Sequence, residues 1–181
     1  MGNGDLDLLK QELTLKIVII TLSDRASRGI YEDLSSKLIR EIIEKYLTEN
    51  GWRFKTQHCV IPDEIVDFRH KLLKAKAEQV DLIFTAGSTG VGPRDIAPEV
   101  VRPMLDKEIP GIMELIRVKY GLISPNAVLS RSLAGIMGTA QIYSMPGSTK
   151  AVKEYMTEIV KTIEHLIFMY RGIDTHTTPK M

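Results

Sequence analysis

Apolar positions along the chain switch between unbroken or two-residue patterns and a 3.6-residue pattern, so strands and helices are expected to alternate. Leu15-Lys-Ile-Val-Ile-Ile-Thr-Leu22 is an almost uninterrupted β-branched run, the mark of a strand covered on both faces. Asp33 to about Asn50 then places Leu34, Leu38, Ile42, Ile43 and Tyr46 at helical spacing and stops at Asn50-Gly51. Trp52, Phe54, Thr56, His58 and Val60 alternate with more polar neighbours, Pro62 breaks that strand, and Glu64 to Gln79 reads as a second amphipathic helix. Asp81 to Thr85 is a third strand, and helices are predicted near Pro98 to Leu105 and Gly111 to Tyr120. Thr139 to Ser144 is a later strand that leads through Pro146-Gly147 into a helix from about Thr149 to Phe168. This alternation predicts right-handed crossovers and a three-layer α/β/α domain, residues 14–170, with a mainly parallel sheet. The Gly/Asp-rich head, 1–13, and the tail, 171–181, are expected to be loose.

Four polar segments fall where apolar runs end: Ser23-Asp24-Arg25, Pro62-Asp63-Glu64, the stretch Gly87 to Asp95, and Pro146-Gly147-Ser148. Open α/β sheets assemble ligand sites from loops at the carboxyl ends of their strands. The last two segments also run into helices, whose first N–H groups are free to bind an anion. A phosphate-bearing ligand, most simply a nucleotide, is the expectation.

Composition narrows the classes. A chain of 181 residues, 44% hydrophobic and 26% charged, has the size of one large domain with its own core. A net charge of +1, from 24 basic and 23 acidic residues well mixed, offers no footprint for nucleic acid or an anionic membrane. No stretch approaches the roughly 20 apolar residues of a membrane span. The single Cys59 forms no internal disulfide and no early run resembles a signal peptide, so a reducing cytoplasm is expected. The four histidines share no metal-ligand spacing, and Cys59 reads as a core residue.

The loop after the third strand carries the sharpest chemistry. In Thr85-Ala-Gly-Ser-Thr-Gly-Val-Gly-Pro-Arg-Asp95, glycines at 87, 90 and 92 are expected to reach positive φ and to expose N–H groups to phosphate oxygens. The Lys-Ser/Thr pair of a Walker loop is absent, as is the G-x-G-x-x-G turn of a dinucleotide fold, which argues against a P-loop NTPase and a nicotinamide dehydrogenase. Arg94-Asp95 sets a cation beside a carboxylate, suited to phosphate and a divalent metal together. Asp63 is either the cap of the helix beginning near Glu64 or a second site carboxylate. Two carboxylates facing one phosphate cradle are what magnesium on a triphosphate requires. Asp24-Arg25 is either a local salt bridge or a site wall. Arg131, with Ser130, offers a bidentate fork to phosphate, and Ser148 reads as a helix cap with free amides beyond it.

Thr21-Leu-Ser-Asp-Arg-Ala-Ser-x-Gly-x-Tyr-x-Asp33, Ile61-Pro-Asp-Glu64, Thr85-x-Gly-x-Thr-Gly90 with Pro93-Arg-Asp-x-x-Pro98, Leu129-Ser-Arg-Ser132 and Met145-Pro-Gly-Ser148 resemble the motifs of the molybdopterin adenylyltransferase family. That family includes bacterial enzymes and the G domains of molybdenum-cofactor proteins such as gephyrin, and the resemblance covers roughly residues 15 to 168. Ser88 stands where the family usually has a second glycine, and Ser36 where a glycine often follows Asp-x-Ser.

The resemblance implies the molybdenum cofactor biosynthesis fold and a cytoplasmic homotrimer. It also implies transfer of AMP from magnesium-ATP to the terminal phosphate of molybdopterin, with release of pyrophosphate, ahead of metal insertion by a partner protein. On that reading Asp63 and Asp95 hold magnesium and are catalytic, and Gly87, Ser88, Thr89, Gly90 and Arg94 contact the nucleotide. Ser23, Asp24, Arg25, Ser130, Arg131, Pro146, Gly147 and Ser148 contact the pterin substrate. A non-catalytic binding or scaffolding module of the same fold is the alternative.

Overall fold

The computed structural model describes residues 10–173. In chain order the elements are β1 (Thr14–Leu22), α1 (Asp24–Ser27), α2 (Leu34–Glu49), β2 (Arg53–Ile61), α3 (Ile65–Ala77), β3 (Leu82–Ala86) and α4 (Ala97–Val101). They continue with β4 (Lys107–Glu108), α5 (Pro110–Gly121), β5 (Leu133–Met137), β6 (Ala140–Met145) and α6 (Thr149–Tyr170). The strands form one six-stranded sheet in the order β2-β1-β3-β6-β5-β4. The first four run parallel, and β5 and β4 are added antiparallel at one edge.

Side chains alternate across the sheet and so feed two cores. Ile17, Ile19, Phe84 and Tyr143 pack with Ile39 and Ile43 of α2, Ile116 of α5 and Met156 of α6. Ile20, Ile83 and Ile142 pack with Phe68 and Leu72 of α3 and Val101 of α4 on the other face. This is the three-layer α/β/α arrangement expected from the alternating pattern. Phe84 is fully buried and stacks on Tyr143 with ring centroids 5.5 Å apart. Truncating such a side chain to alanine costs about 3–5 kcal/mol.

Register, more than any single loop, brings the polar strand-end segments together. Leu22 pairs with Ile61, Thr21 with Ala86, and Ala86 with Met145. The four parallel strands therefore stop along one line, and Ser23, Pro62, Gly87 and Pro146 follow directly from it. Asp33 caps α2 by accepting from the amides of Ser35 and Ser36, and Ser148 caps α6 by accepting from that of Ala151, so both helices begin at the same end.

Several elements differ from the sequence expectation, in which α1, β4 and a 3-10 turn over Pro125–Leu129 have no counterpart. The helix predicted from Pro98 to Leu105 stops at Val101 and tightens into a 3-10 turn over Arg102–Met104, because Pro103 has no N–H to continue the ladder. The strand β5 is also absent from that expectation, since Gly135 interrupts its apolar pattern. A Cβ there would lie 2.4 Å from the Lys107 carbonyl, so glycine is what lets β4 approach.

The chain near both ends of the described segment is seated. Lys10 pairs with Glu164 at 2.9 Å and Arg171 with Asp81 at 2.7 Å, while Leu13 and Ile173 pack on the first core. The remainder of the head and tail expected to be loose, 1–9 and 174–181, lies outside the described residues. Among the described residues no helix is long and apolar enough to cross a membrane. Cys59 is partly buried against the second core, and desolvation pushes its thiol up from the usual value.

Candidate functional site

The loops after β1 and β2 are clasped together by their aspartates. The Asp24 amide donates to Asp63 Oδ2 at 3.0 Å, and the Asp63 amide donates to Asp24 Oδ1 at 3.1 Å. Asp63 is therefore not the cap of α3: that position belongs to Glu64, which makes no side-chain cap bond. Ser23 caps the short α1 and its hydroxyl meets the Tyr31 hydroxyl at 2.8 Å, with the Arg25 guanidinium 5.1 Å from the Tyr31 ring centroid.

The loop after β3 is packed backbone against backbone. Of its glycines only Gly87 has positive φ, at +107°, and a Cβ there would sit 2.3 Å from the Leu22 carbonyl oxygen. A Cβ on Gly147 would in turn lie 3.1 Å from Gly87 Cα, so three strand ends touch with no room for side chains. Gly90 and Gly92 do not reach positive φ as expected; they clear space for Asp95, whose Oδ2 would lie 2.8 and 2.9 Å from added Cβ atoms. That oxygen accepts from the Gly92 amide at 2.7 Å. Ser88 occupies the left-handed region at φ +58°, the conformation glycine adopts most freely. Its hydroxyl compensates by donating to the Arg94 carbonyl at 3.0 Å and accepting from the Ile96 amide at 2.8 Å.

Two clefts open along this line of loops. One, of about 360 Å³, is lined by Ser23, Asp24, Arg25, Asp63, Arg94 and Asp95. Within it the Arg94 guanidinium reaches both Asp24 oxygens at 2.9 Å and Glu64 at 3.0 Å. The Asp63 amide first, and then this guanidinium, hold the Asp24 carboxyl below the usual carboxylate range. The second cleft, of about 500 Å³, is lined by Thr89, Gly90, Ser130, Pro146, Gly147 and Ser148, together with Val91, Leu129 and Tyr155. Ser88 and Asp95 line both.

The residues the sequence analysis assigned to the pterin are thus divided. Ser23, Asp24 and Arg25 share the first cleft with Asp63, whereas Ser130 and Pro146 to Ser148 face the second. Arg131 faces neither. Its Nε donates to the Gly90 carbonyl at 2.6 Å, one terminal nitrogen to the Asp95 carbonyl at 3.2 Å, and the other pairs with Glu99. The fork expected to meet phosphate is spent on holding the 90–95 loop. Ser36, read as a change at the ligand, is 3% exposed in the first turn of α2 and lies outside both clefts.

The acidic cleft suits a hard cation that brings its own ligands. Among the described residues no group of three or more histidine, cysteine or acidic side chains is placed to cage a metal. Asp63 and Asp95, which line the same cleft, could hold magnesium, an ion that takes one or two carboxylates and completes its shell with phosphate and water.

Comparison with known proteins gives this arrangement its context. The family profile described as "Probable molybdopterin binding domain" matches residues 18–165. The chain belongs to that family. It is 36% identical over 160 residues to the molybdopterin adenylyltransferase of Helicobacter pylori J99, covering 88% of this chain and 89% of the relative. It is 35% identical over 177 residues to the gephyrin of Dictyostelium discoideum, covering 94% of this chain and 24% of that longer protein. Among solved structures, the molybdopterin biosynthesis enzyme MoaB of Thermus thermophilus superposes with a TM-score of 0.77 at 35% identity, covering 88% of this chain and 98% of the other. All of the motif loops described above fall inside the segment that the family profile spans.

Several residues around the family site escaped the sequence reading. Tyr155, 3% exposed, lines the second cleft and its hydroxyl has no hydrogen-bond partner. It lies seven residues after Ser148, two helical turns along the same face, and that spacing was the available signal. Ser35 donates to the Gly147 carbonyl at 2.6 Å and ties the start of α2 to the loop after β6. Glu99 carried no signal, and Glu64 was named only within its segment; their pairing with Arg131 and Arg94 was not legible, because ion pairing across tens of residues has no local pattern.

Proposed function

We propose that this protein is a molybdopterin adenylyltransferase. The terminal phosphate of molybdopterin attacks the α-phosphorus of ATP; the new P–O bond forms as the bond to the β-phosphate breaks, and pyrophosphate leaves. The meeting of two clefts at Ser88 and Asp95 is the observation that carries this reading, since in-line transfer between two anionic substrates needs both held on either side of one point. The relatives' names supply the chemistry of the substrates.

In this reading Asp63 and Asp95 hold magnesium, which when bound neutralises charge on the triphosphate. Arg94 and Arg25 address the phosphates from the same cleft, joined by Ser23 and Asp24. The Gly87 to Gly90 loop and Thr89 present backbone and hydroxyl donors at the transfer point, where fixed dipoles lower the barrier without reorganising. Ser130, Pro146, Gly147 and Ser148 face the pterin, whose flat ring suits the wall of Val91, Leu129 and Tyr155. Arg131 acts behind the loop as a positioning residue.

A cytoplasmic homotrimer that passes its product to a molybdenum-insertion protein completes the proposal. Exposed apolar side chains on and after α5, namely Leu115, Val118, Leu122 and Ile123, support a subunit contact there. Incubation with molybdopterin and magnesium-ATP, followed by chromatography, tests the activity: adenylylated molybdopterin is expected, and unchanged molybdopterin would refute it.

A further inference from the structure

The second cleft leaves one carboxylate without a hydrogen bond. Two acidic side chains line it, Asp95 and Glu154. Asp95 stands where the clefts meet and already accepts from the Gly92 amide. The Glu154 side chain is only 22% exposed, yet among the described residues it accepts no hydrogen bond, and its one ion pair is with Lys150 at 3.9 Å. That separation exceeds a hydrogen bond and the lysine is 70% exposed, so the pair does little to offset the withdrawal of a carboxylate from water. Tyr155, the next residue, shows the same deficit: its hydroxyl is buried and unpartnered in the wall of the same cleft. The hydroxyls nearer the junction are engaged, Ser88 with the Arg94 carbonyl and Ile96 amide, Ser148 with the Ala151 amide, and Ser130 with Ser132 and Thr89. Glu154 lies about 9 Å along α6 from Ser148, so a ligand whose phosphate sits at the junction reaches it with its far end.

We propose that Glu154 is a specificity-determining residue: its carboxylate accepts from the ring N–H and the adjacent exocyclic amino group on the pyrimidine edge of the pterin. This rests on the reading that the second cleft takes the pterin. A 2-amino-4-oxopyrimidine edge presents two parallel donors, a neutral counterpart of the guanidinium fork that carboxylates meet with two bonds. An edge that carries an oxo group beside the N–H sets oxygen against oxygen and is rejected, since discrimination comes as much from the repelled group as from the bonded one. The apolar wall of Val91 and Leu129 holds the ring without reading its edge, which leaves that task to Glu154.

Titration calorimetry of the full chain with molybdopterin and with two simpler probes tests this: 6-hydroxymethylpterin phosphate, and the lumazine of the same substitution, in which an oxo group replaces the 2-amino group. Wild type should bind the pterin phosphate about tenfold tighter than the lumazine or better, the scale of a charge-assisted hydrogen bond. Glu154→Gln, whose amide offers one acceptor and one donor, should weaken molybdopterin about tenfold, remove or reverse the preference between the probes, and leave magnesium-ATP affinity unchanged. Wild-type affinity for molybdopterin in the variant overturns the proposal. So does an equal fall for both probes with the preference intact, the mark of a residue that serves only the helix. Should that variant not fold, Glu154→Asp, which keeps the charge on a shorter arm, must weaken molybdopterin and spare magnesium-ATP; wild-type molybdopterin affinity there would overturn it equally. None of these titrations measures turnover. A preference that Glu154→Gln removes, in a protein that makes no adenylylated product, refutes the enzymatic reading and keeps the pterin-reading carboxylate, whereas normal adenylylation by Glu154→Gln with the preference intact refutes the carboxylate alone.

Discussion

Asp24 and Asp63 each accept a hydrogen bond from the other's main-chain amide, at 3.1 and 3.0 Å, across the ends of two neighbouring parallel strands. The exchange fixes both carboxylates at the rim of one cleft. It also settles a choice that local pattern left open, because a carboxylate engaged with Asp24 is not capping α3.

Asp63→Asn and Asp95→Asn are each expected to abolish turnover while leaving stability within about 1 kcal/mol of wild type, because amide oxygens still accept from the Asp24 and Gly92 amides. Adenylylation assays beside thermal unfolding check this. Near-normal turnover in either variant would remove that residue from the catalytic set.

At the loop, Ser88→Gly relieves a left-handed φ worth about 1–2 kcal/mol but gives up two hydrogen bonds worth about 1 kcal/mol each, so net stability is expected to stay within about 1 kcal/mol. Gly90→Val behaves differently. Its Cβ would lie 2.8 Å from Asp95 Oδ2, so Asp95 must move. A loss of turnover of tenfold or more is expected, on the order of 1.4 kcal/mol in the barrier. Unfolding curves and steady-state kinetics for the pair provide the check.

How much of this was legible beforehand follows from which interactions are local. The four strand-end loops could be read because each ends an apolar run, and a parallel register then aligns those ends. Ser148 and Asp33 were legible as caps because a cap bonds two or three residues onward. Arg131 was not, since its partners Gly90, Asp95 and Glu99 lie 41, 36 and 32 residues away and a guanidinium fork fits a carbonyl or carboxylate as well as a phosphate. The positive φ expected at Gly90 failed for a related reason: glycine also serves close approach, and only packing distinguishes the two uses.

Arg131→Lys accordingly should not produce a defect confined to the pterin. Losing the fork frees the 90–95 loop that borders both clefts, so affinity for ATP and for molybdopterin should fall together, with a stability loss of about 1–3 kcal/mol. Separate titrations with each substrate decide it; a loss for molybdopterin alone would return Arg131 to direct contact with that substrate.

Glu158, 7% exposed, is paired with Lys119 and Lys161, and these bonds hold its carboxyl down at about 2. Its value is lower folded than unfolded, where a glutamate titrates near 4.3, so the stabilisation is present above that pH and is lost as pH falls toward the folded value. Glu158→Gln should be less stable than wild type at neutral pH, with the difference closing through this window. Unfolding measured between pH 7 and 2 would show it, and a constant difference throughout would mean that the ion pairs are not its cause.

The central claim is that a nucleotide and molybdopterin meet at Ser88 and Asp95 for direct phosphoryl transfer. Single-turnover incubation with ATP labelled at the α-phosphate tests it most directly. The label is expected to appear on molybdopterin with one pyrophosphate released per label transferred, and to stay on ATP in Asp95→Asn. Label recovered as free AMP, with pyrophosphate released but none on molybdopterin, would contradict the account.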